Sequence, residues 1–202
     1  MGSPMYSFFR DFLETLLAAI VLFVVIQALL QNFQVVGPSM EPTVLGGELV
    51  LVNKAAYLQT SNNMVRALPM VNEQENESIH LFNAPERGDI IVFHNQNTDE
   101  YLIKRLIGLP GDTITIQDGH TSINGAIISE PYVENRSRDT MHPVKLNVGQ
   151  YFVMGDNRPF SRDSRATGPI EGSTIIGKSW LRFWPPQEFK IFNHLNPIAD
   201  TQ

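Results

Sequence analysis

The chain of 202 residues contains no cysteine, which rules out a disulfide framework, thiolate chemistry and any cysteine-ligated metal site. Metal-ligand spacing is missing too. The histidines at positions 80, 94, 120, 142 and 194 never form a pattern such as HExxH. There is no excess of positive charge, and a formal net charge of -6 leaves no basic footprint for nucleic acid. No internal repeat is visible, and beyond the N-terminal segment no long stretch keeps a 3.6-residue apolar period. What is present is one long apolar run near the start, then frequent β-branched and aromatic residues punctuated by Gly and Pro. That composition predicts strands and turns. Roughly 150 residues beyond the apolar run suffice for one domain with its own core.

The apolar run extends from Leu16 to Leu30 and is broken only by Gln27. Counted from Phe12 to Phe33, with Glu14 snorkelling at the interface, a helix would reach roughly 33 Å at about 1.5 Å per residue, enough for a bilayer. A cleaved signal peptide is the rival reading, but no cleavage site with small residues at -3 and -1 fits well, and Val35 with Gly37 comes nearest. Ala28 with Leu30 does not fit, and Pro38 would follow a cut after Gly37. Asp11 and Glu14 also spoil a basic leading region. A retained anchor is therefore expected. Arg10 precedes the span and no Lys or Arg follows it until Lys54, so the positive-inside rule places the N-terminus in the cytoplasm and the rest outside. The expected division is a stub and anchor over 1–33 and an extracytoplasmic domain over 34–202.

Within that domain, strands are expected at Glu48–Asn53, Asp89–His94, Glu100–Ile107, Thr113–Gln117, Gln150–Met154 and Thr174–Phe183. Asp118-Gly119 and Asn124-Gly125 carry the composition of tight hairpin turns. The predicted fold class is mainly β, an antiparallel sheet or barrel-like domain behind one transmembrane helix. Residues 58–87, rich in Asn, Glu and Gln, read as an insertion. Residues 185–202, opened by Pro185-Pro186, read as a tail.

Three segments concentrate unusual chemistry. In Gly37-Pro38-Ser39-Met40-Glu41-Pro42-Thr43, two prolines bracket a serine and stiffen its backbone. The segment is either a turn leaving the membrane or a held nucleophile. In Tyr101–Ile107, Lys104 shares a strand face with Leu102 and Leu106. It either snorkels to solvent or is a desolvated base. An unshifted lysine would need about 4.6 kcal/mol to be neutral at pH 7, and burial among apolar groups lowers its pKa by about 3–5 units. Gly155–Arg165 holds Asp156, Arg158, Ser161, Arg162, Asp163, Ser164 and Arg165 just after an apolar strand. That is either a solvated loop or a braced one that presents a hydroxyl.

In this order the segments resemble the type I signal peptidases, whose pattern runs Ser-Met-x-Pro-Thr after an anchor, then Lys-Arg-hydrophobic-hydrophobic-Gly-hydrophobic-Pro-Gly-Asp, then Gly-Asp/Asn-Asn…Ser-x-Asp-Ser-Arg. The resemblance implies that Ser39 attacks the scissile carbonyl and that neutral Lys104 takes its proton. It implies that Ser161 orients the lysine, that Asp163 and Arg165 form a supporting ion pair, and that Asp156 and Arg105 brace the same region. Met40 and Ile103 would line the pocket for the substrate's -1 residue. Some members have a serine where this chain has Gly37, so the oxyanion hole would rest on the Ser39 backbone, with Gly37 the candidate for a second donor. Implied partners are secretory preproteins, cut after small residues at -1 and -3, and a lipid bilayer, either a plasma membrane or a thylakoid facing its lumen. The resemblance implies no cofactor.

Competing readings remain at this level. His94 with Asp89 or Asp156 could serve a Ser-His-Asp peptidase, although Ser39 lacks a GxSxG elbow. A self-cleaving Ser-Lys repressor would begin with a DNA-binding helix-turn-helix, not an apolar anchor. An anchored domain that only binds partners would not require Ser39, Lys104 and Ser161 together.

Overall fold

The computed structural model describes residues 4–57, 59–60, 79–80, 84–96 and 98–192. The expected insertion at 58–87 lies mostly outside these residues, as do His194 and the last ten positions of the expected tail. Helix α1, Pro4–Leu29, contains a stretch from Phe8 to Leu29 that is long and apolar enough to cross a membrane and is not buried against the protein. The helix stops four residues earlier than the expected boundary at 33. Leu30–Gln34 forms β1 instead, pairing antiparallel with β2, Leu49–Asn53. The reason lies in Gln31, Asn32 and Gln34, whose polar side chains favour leaving the apolar span. The ladder to β2 then satisfies the backbone groups that the helix no longer pairs.

Two-residue strands Gln59–Thr60 (β3) and Ile79–His80 (β4) pair with each other. Then come β5 (Ile90–Asn95), β6 (Glu100–Gly108), β7 (Thr113–Gln117), β8 (His120–Ile123), β9 (Ala126–Ile127), β10 (Met141–Lys145), β11 (Gln150–Met154), β12 (Ile170–Glu171), β13 (Ile175–Trp184) and β14 (Lys190–Ile191). The main sheet runs β1-β2-β13-β5-β6-β11-β12 with β14 on β13, and a smaller sheet runs β10-β7-β8-β9. The fold is mainly antiparallel β with one N-terminal helix, as expected. Both predicted turns form, with positive φ at Asp118, Gly119, Asn124 and Gly125, the left-handed pair that a tight two-residue hairpin needs.

Along β5 the period of two sends Ile90 and Val92 to one core and Ile91 and Phe93 to another. The main sheet is therefore buried on both faces at β5. A third core joins the sheets through Ile107, Ile114, Ile123, Leu146 and Phe152. The expected tail is a partial correction. Pro185-Pro186 does not end regular structure, because a turn at Pro186–Glu188 leads back into β14 and Phe192 enters the core. Arg182 holds that return by donating to the Glu188 carbonyl at 2.6 Å while clasping buried Glu48 at 2.8 and 2.9 Å.

Candidate active site

β6 is the central element of the site. Lys104 lies opposite Ile91 of β5, and its neighbours Arg105 and Leu106 pair with β11. Strands on both sides leave Lys104 only 4% exposed. Its Nζ lies 2.7 Å from Ser39 Oγ and 2.8 Å from the Ile103 carbonyl. Burial lowers the amine to about 8, against the opposing pull of the Asp163 and Asp156 carboxylates. An amine with that pKa is partly neutral near pH 7. When protonated it donates to Ser39 Oγ, and when neutral it accepts from that hydroxyl.

Ser39 sits in the turn after β1, and its loop is tied to the Gly155–Arg165 segment. The Asn157 N–H donates to the Ser39 carbonyl at 3.1 Å, and Asn157 Nδ2 donates to the Pro38 carbonyl at 3.0 Å. A Cβ at Gly155 would collide with the Ser39 carbonyl and with Ser161 Oγ, so the close approach of these segments needs glycine there.

Arg105 turns all three sequence segments into one network. It forks onto Asp156 at 2.8 and 2.6 Å, donates to the Gly88 carbonyl at 2.9 Å, and lies 4.0 Å above the Tyr132 ring. The Thr43 hydroxyl donates to Asp156 Oδ2 at 2.5 Å. Asp163 and Arg165 pair through two 2.8 Å hydrogen bonds, and Asp163 also accepts from Gly155 N–H at 2.9 Å. Burial alone would raise the Asp163 carboxyl, yet the Arg165 guanidinium and the Gly155 N–H hold it below the usual carboxylate value.

Two expected positions fall differently. Ser161 Oγ is buried beside Gly155 and forms no well-aligned hydrogen bond, so Lys104 is held here by Ser39 and Ile103 rather than by Ser161. Met40 is fully buried in the core with Val44, Val50 and Val92. It lies behind the groove, because the turn that presents Ser39 outward sends its neighbour inward. Ile103 does line the groove, a cleft of about 540 Å³ bounded also by Phe33, Val35, Val36, Ser39 and Tyr101. Gly37 has φ +85, open to glycine. His94 pairs with exposed Asp99 at 2.9 Å, whereas the Ser39 hydroxyl is held by Lys104, which removes the support for a histidine triad.

The sequence reading left Thr43, Gly155 and Asn157 without roles although all three stand inside its motifs. It missed the buried Glu130–Arg158 pair, in which Arg158 also donates to the Gly155 carbonyl at 3.1 Å. It also missed Tyr132. Both Glu130 and Tyr132 come from the loop after β9, and no local pattern marks them.

A family model described as signal peptidase, peptidase S26, matches residues 9–184. The chain belongs to that family. Signal peptidase IB of Staphylococcus aureus strain COL is 32% identical over 199 residues, with 89% of this chain and 90% of that one covered. Signal peptidase I of Bacillus licheniformis is 32% identical over 192 residues, covering 89% and 91%. A crystal structure of a signal peptidase I from Enterococcus faecalis V583 aligns at 34% identity and a TM-score of 0.42, over 48% of this chain and 97% of that one. This member of peptidase S26 is thus a serine endopeptidase, and its single apolar N-terminal helix fits a single-pass membrane protein.

Proposed function

We propose that this peptidase removes N-terminal signal peptides from exported preproteins, cutting after a small residue at -1 with another at -3. Ser39 Oγ attacks the scissile carbonyl carbon while neutral Lys104 takes its proton. The Ser39 N–H faces the developing oxyanion, with Gly37 the candidate second donor. The lysine then delivers its proton to the leaving amine, and a water activated by the same amine hydrolyses the ester. Asp163 with Arg165 and Asp156 with Arg105 keep the surrounding loops in place, and Ser161 lies beside them. The observation that carries this reading is the 2.7 Å separation between the buried Lys104 amine and Ser39 Oγ.

The anchor and the peptidase domain divide at Leu30, with the N-terminus in the cytoplasm and the domain outside, on a plasma membrane or in a thylakoid lumen. The groove beside Ser39, apolar along Phe33, Val35, Val36 and Ile103 with Asp99 and Glu100 also on its lining, suits an extended segment next to the cut. The test is cleavage of a model preprotein in detergent by the wild type and by Ser39→Ala, with the -1 and -3 residues varied. Cleavage that disappears in the variant, and in substrates with bulky -1 or -3 residues, is expected. Equal cleavage by both proteins would remove Ser39 from the mechanism. No cleavage by the folded wild type would favour a binding module.

A further inference from the structure

Asn157 grips the backbone of the nucleophile turn at two successive carbonyls. Its side-chain Nδ2 donates to Pro38 O at 3.0 Å, and its main-chain N–H donates to Ser39 O at 3.1 Å. The Glu41 N–H also donates to Pro38 O, at 3.1 Å, so both lone pairs of that oxygen are engaged. The direction of the Asn157 amide follows from its partner, since a carbonyl oxygen accepts only from the NH₂ end.

The Pro38–Ser39 peptide is trans, and a planar trans unit points its C=O and N–H to opposite sides. Fixing the Pro38 carbonyl therefore fixes the direction of the Ser39 N–H. That N–H has no protein acceptor among the described residues. We infer that Asn157 is a positioning residue for the oxyanion hole, holding the Pro38 carbonyl so that the Ser39 N–H stays aimed at the oxygen of the tetrahedral intermediate. The inference rests on the Ser39–Lys104 reading above.

A second observation separates this role from simple packing. Asn157 Oδ1 is buried without a hydrogen-bond partner. An orphaned buried acceptor is unfavourable, and alanine would not carry it. Stability alone does not call for asparagine here, whereas the donor to Pro38 O does.

The experiment uses the full-length chain in detergent, comparing wild type, Asn157→Ala, Asn157→Ser and Ser39→Ala on a model preprotein. Two peptide probes of the cleavage sequence are added. One ends in an aldehyde, whose adduct with Ser39 Oγ places an oxygen in the oxyanion position, and the other is the carboxylate product. The expected result for Asn157→Ala is a kcat lower by roughly tenfold to hundredfold with KM nearly unchanged. That lies below the roughly hundred- to thousandfold cost of losing a donor outright. Aldehyde affinity should fall in proportion, while product affinity and melting temperature stay near wild type.

Three outcomes overturn the inference: an unchanged kcat, an equal loss of aldehyde and product affinity, or loss of fold in both Asn157 variants, which would make the role structural. The Ser39→Ala arm reports on the underlying reading. If Ser39→Ala stays active, that reading fails. If Ser39→Ala is dead and Asn157→Ala runs at wild-type speed, only the inference fails.

Discussion

At the scale of single residues, the decisive quantity is the charge on Lys104. Ordinary lysine is almost wholly protonated at pH 7. Burial brings this one to about 8, and the Asp163 and Asp156 carboxylates limit the shift. In the proposed Ser39–Lys104 mechanism the working form is the neutral amine, so activity is expected to rise with pH. It should climb nearly tenfold per unit below about pH 7, bend near pH 8 and level off above. A flat rate profile between pH 5 and 9 would contradict this. Lys104→Arg keeps the positive charge and cannot release its proton. Its turnover should drop by roughly a hundred- to ten-thousandfold with the fold intact by circular dichroism, the rate factor carried by general-base groups. Residual turnover within a few-fold of wild type would remove Lys104 as the base.

At the scale of elements, one buried ion pair ties β6 to the Ser39 turn and to the loop after β11. Arg105 and Asp156 are each about 1% exposed, and Thr43 closes the link. Removing one partner leaves an uncompensated buried charge, which costs about 3–5 kcal/mol. Asp156→Ala should therefore lower unfolding free energy by that amount in a denaturant titration and reduce activity as the Ser39 and Gly155 segments drift apart. A loss under about 1 kcal/mol would mean the pair contributes little beyond its surface counterparts. Local chemistry made much of this scale readable from the chain itself. Short runs rich in β-branched and aromatic residues marked β5, β6, β11 and β13 within a residue or two, and Asp118-Gly119 and Asn124-Gly125 marked their turns. β1 was not readable, because Leu30–Gln34 carries no strand signal of its own and only pairing with β2 makes it a strand.

At the scale of the whole molecule, helix α1 runs directly into strand β1 of the main sheet, with no linker between them. Helix α1 is unburied against the domain, while Phe33 and Val35, just after it, pack into the core that holds Val50 and Val92. A chain beginning at Leu30 should keep its fold and cleave a short peptide in detergent at a rate close to the full-length protein. A chain beginning at Val36 loses β1 together with Phe33 and Val35, and burying two such side chains is worth about 3–6 kcal/mol. Its thermal transition should fall sharply or vanish. Equal melting of the two truncations would show that β1 is not part of the stable domain.

The amino-acid order alone determined the apolar helix, the β character of the rest, the tight turns, and the stiff Pro-bracketed setting of Ser39, because each depends on neighbours a few positions apart. It also brought Lys104 and the Gly155–Arg165 segment forward as chemistry-bearing, and the resemblance to the type I signal peptidases added Arg105 and singled out Asp156, Ser161, Asp163 and Arg165. Only the tertiary structure decided that Lys104 meets Ser39 across 65 positions of chain, that Met40 faces inward, and that Asn157, Glu130 and Tyr132 support the site. Distance and desolvation depend on which strands lie side by side, and no local periodicity carries that information.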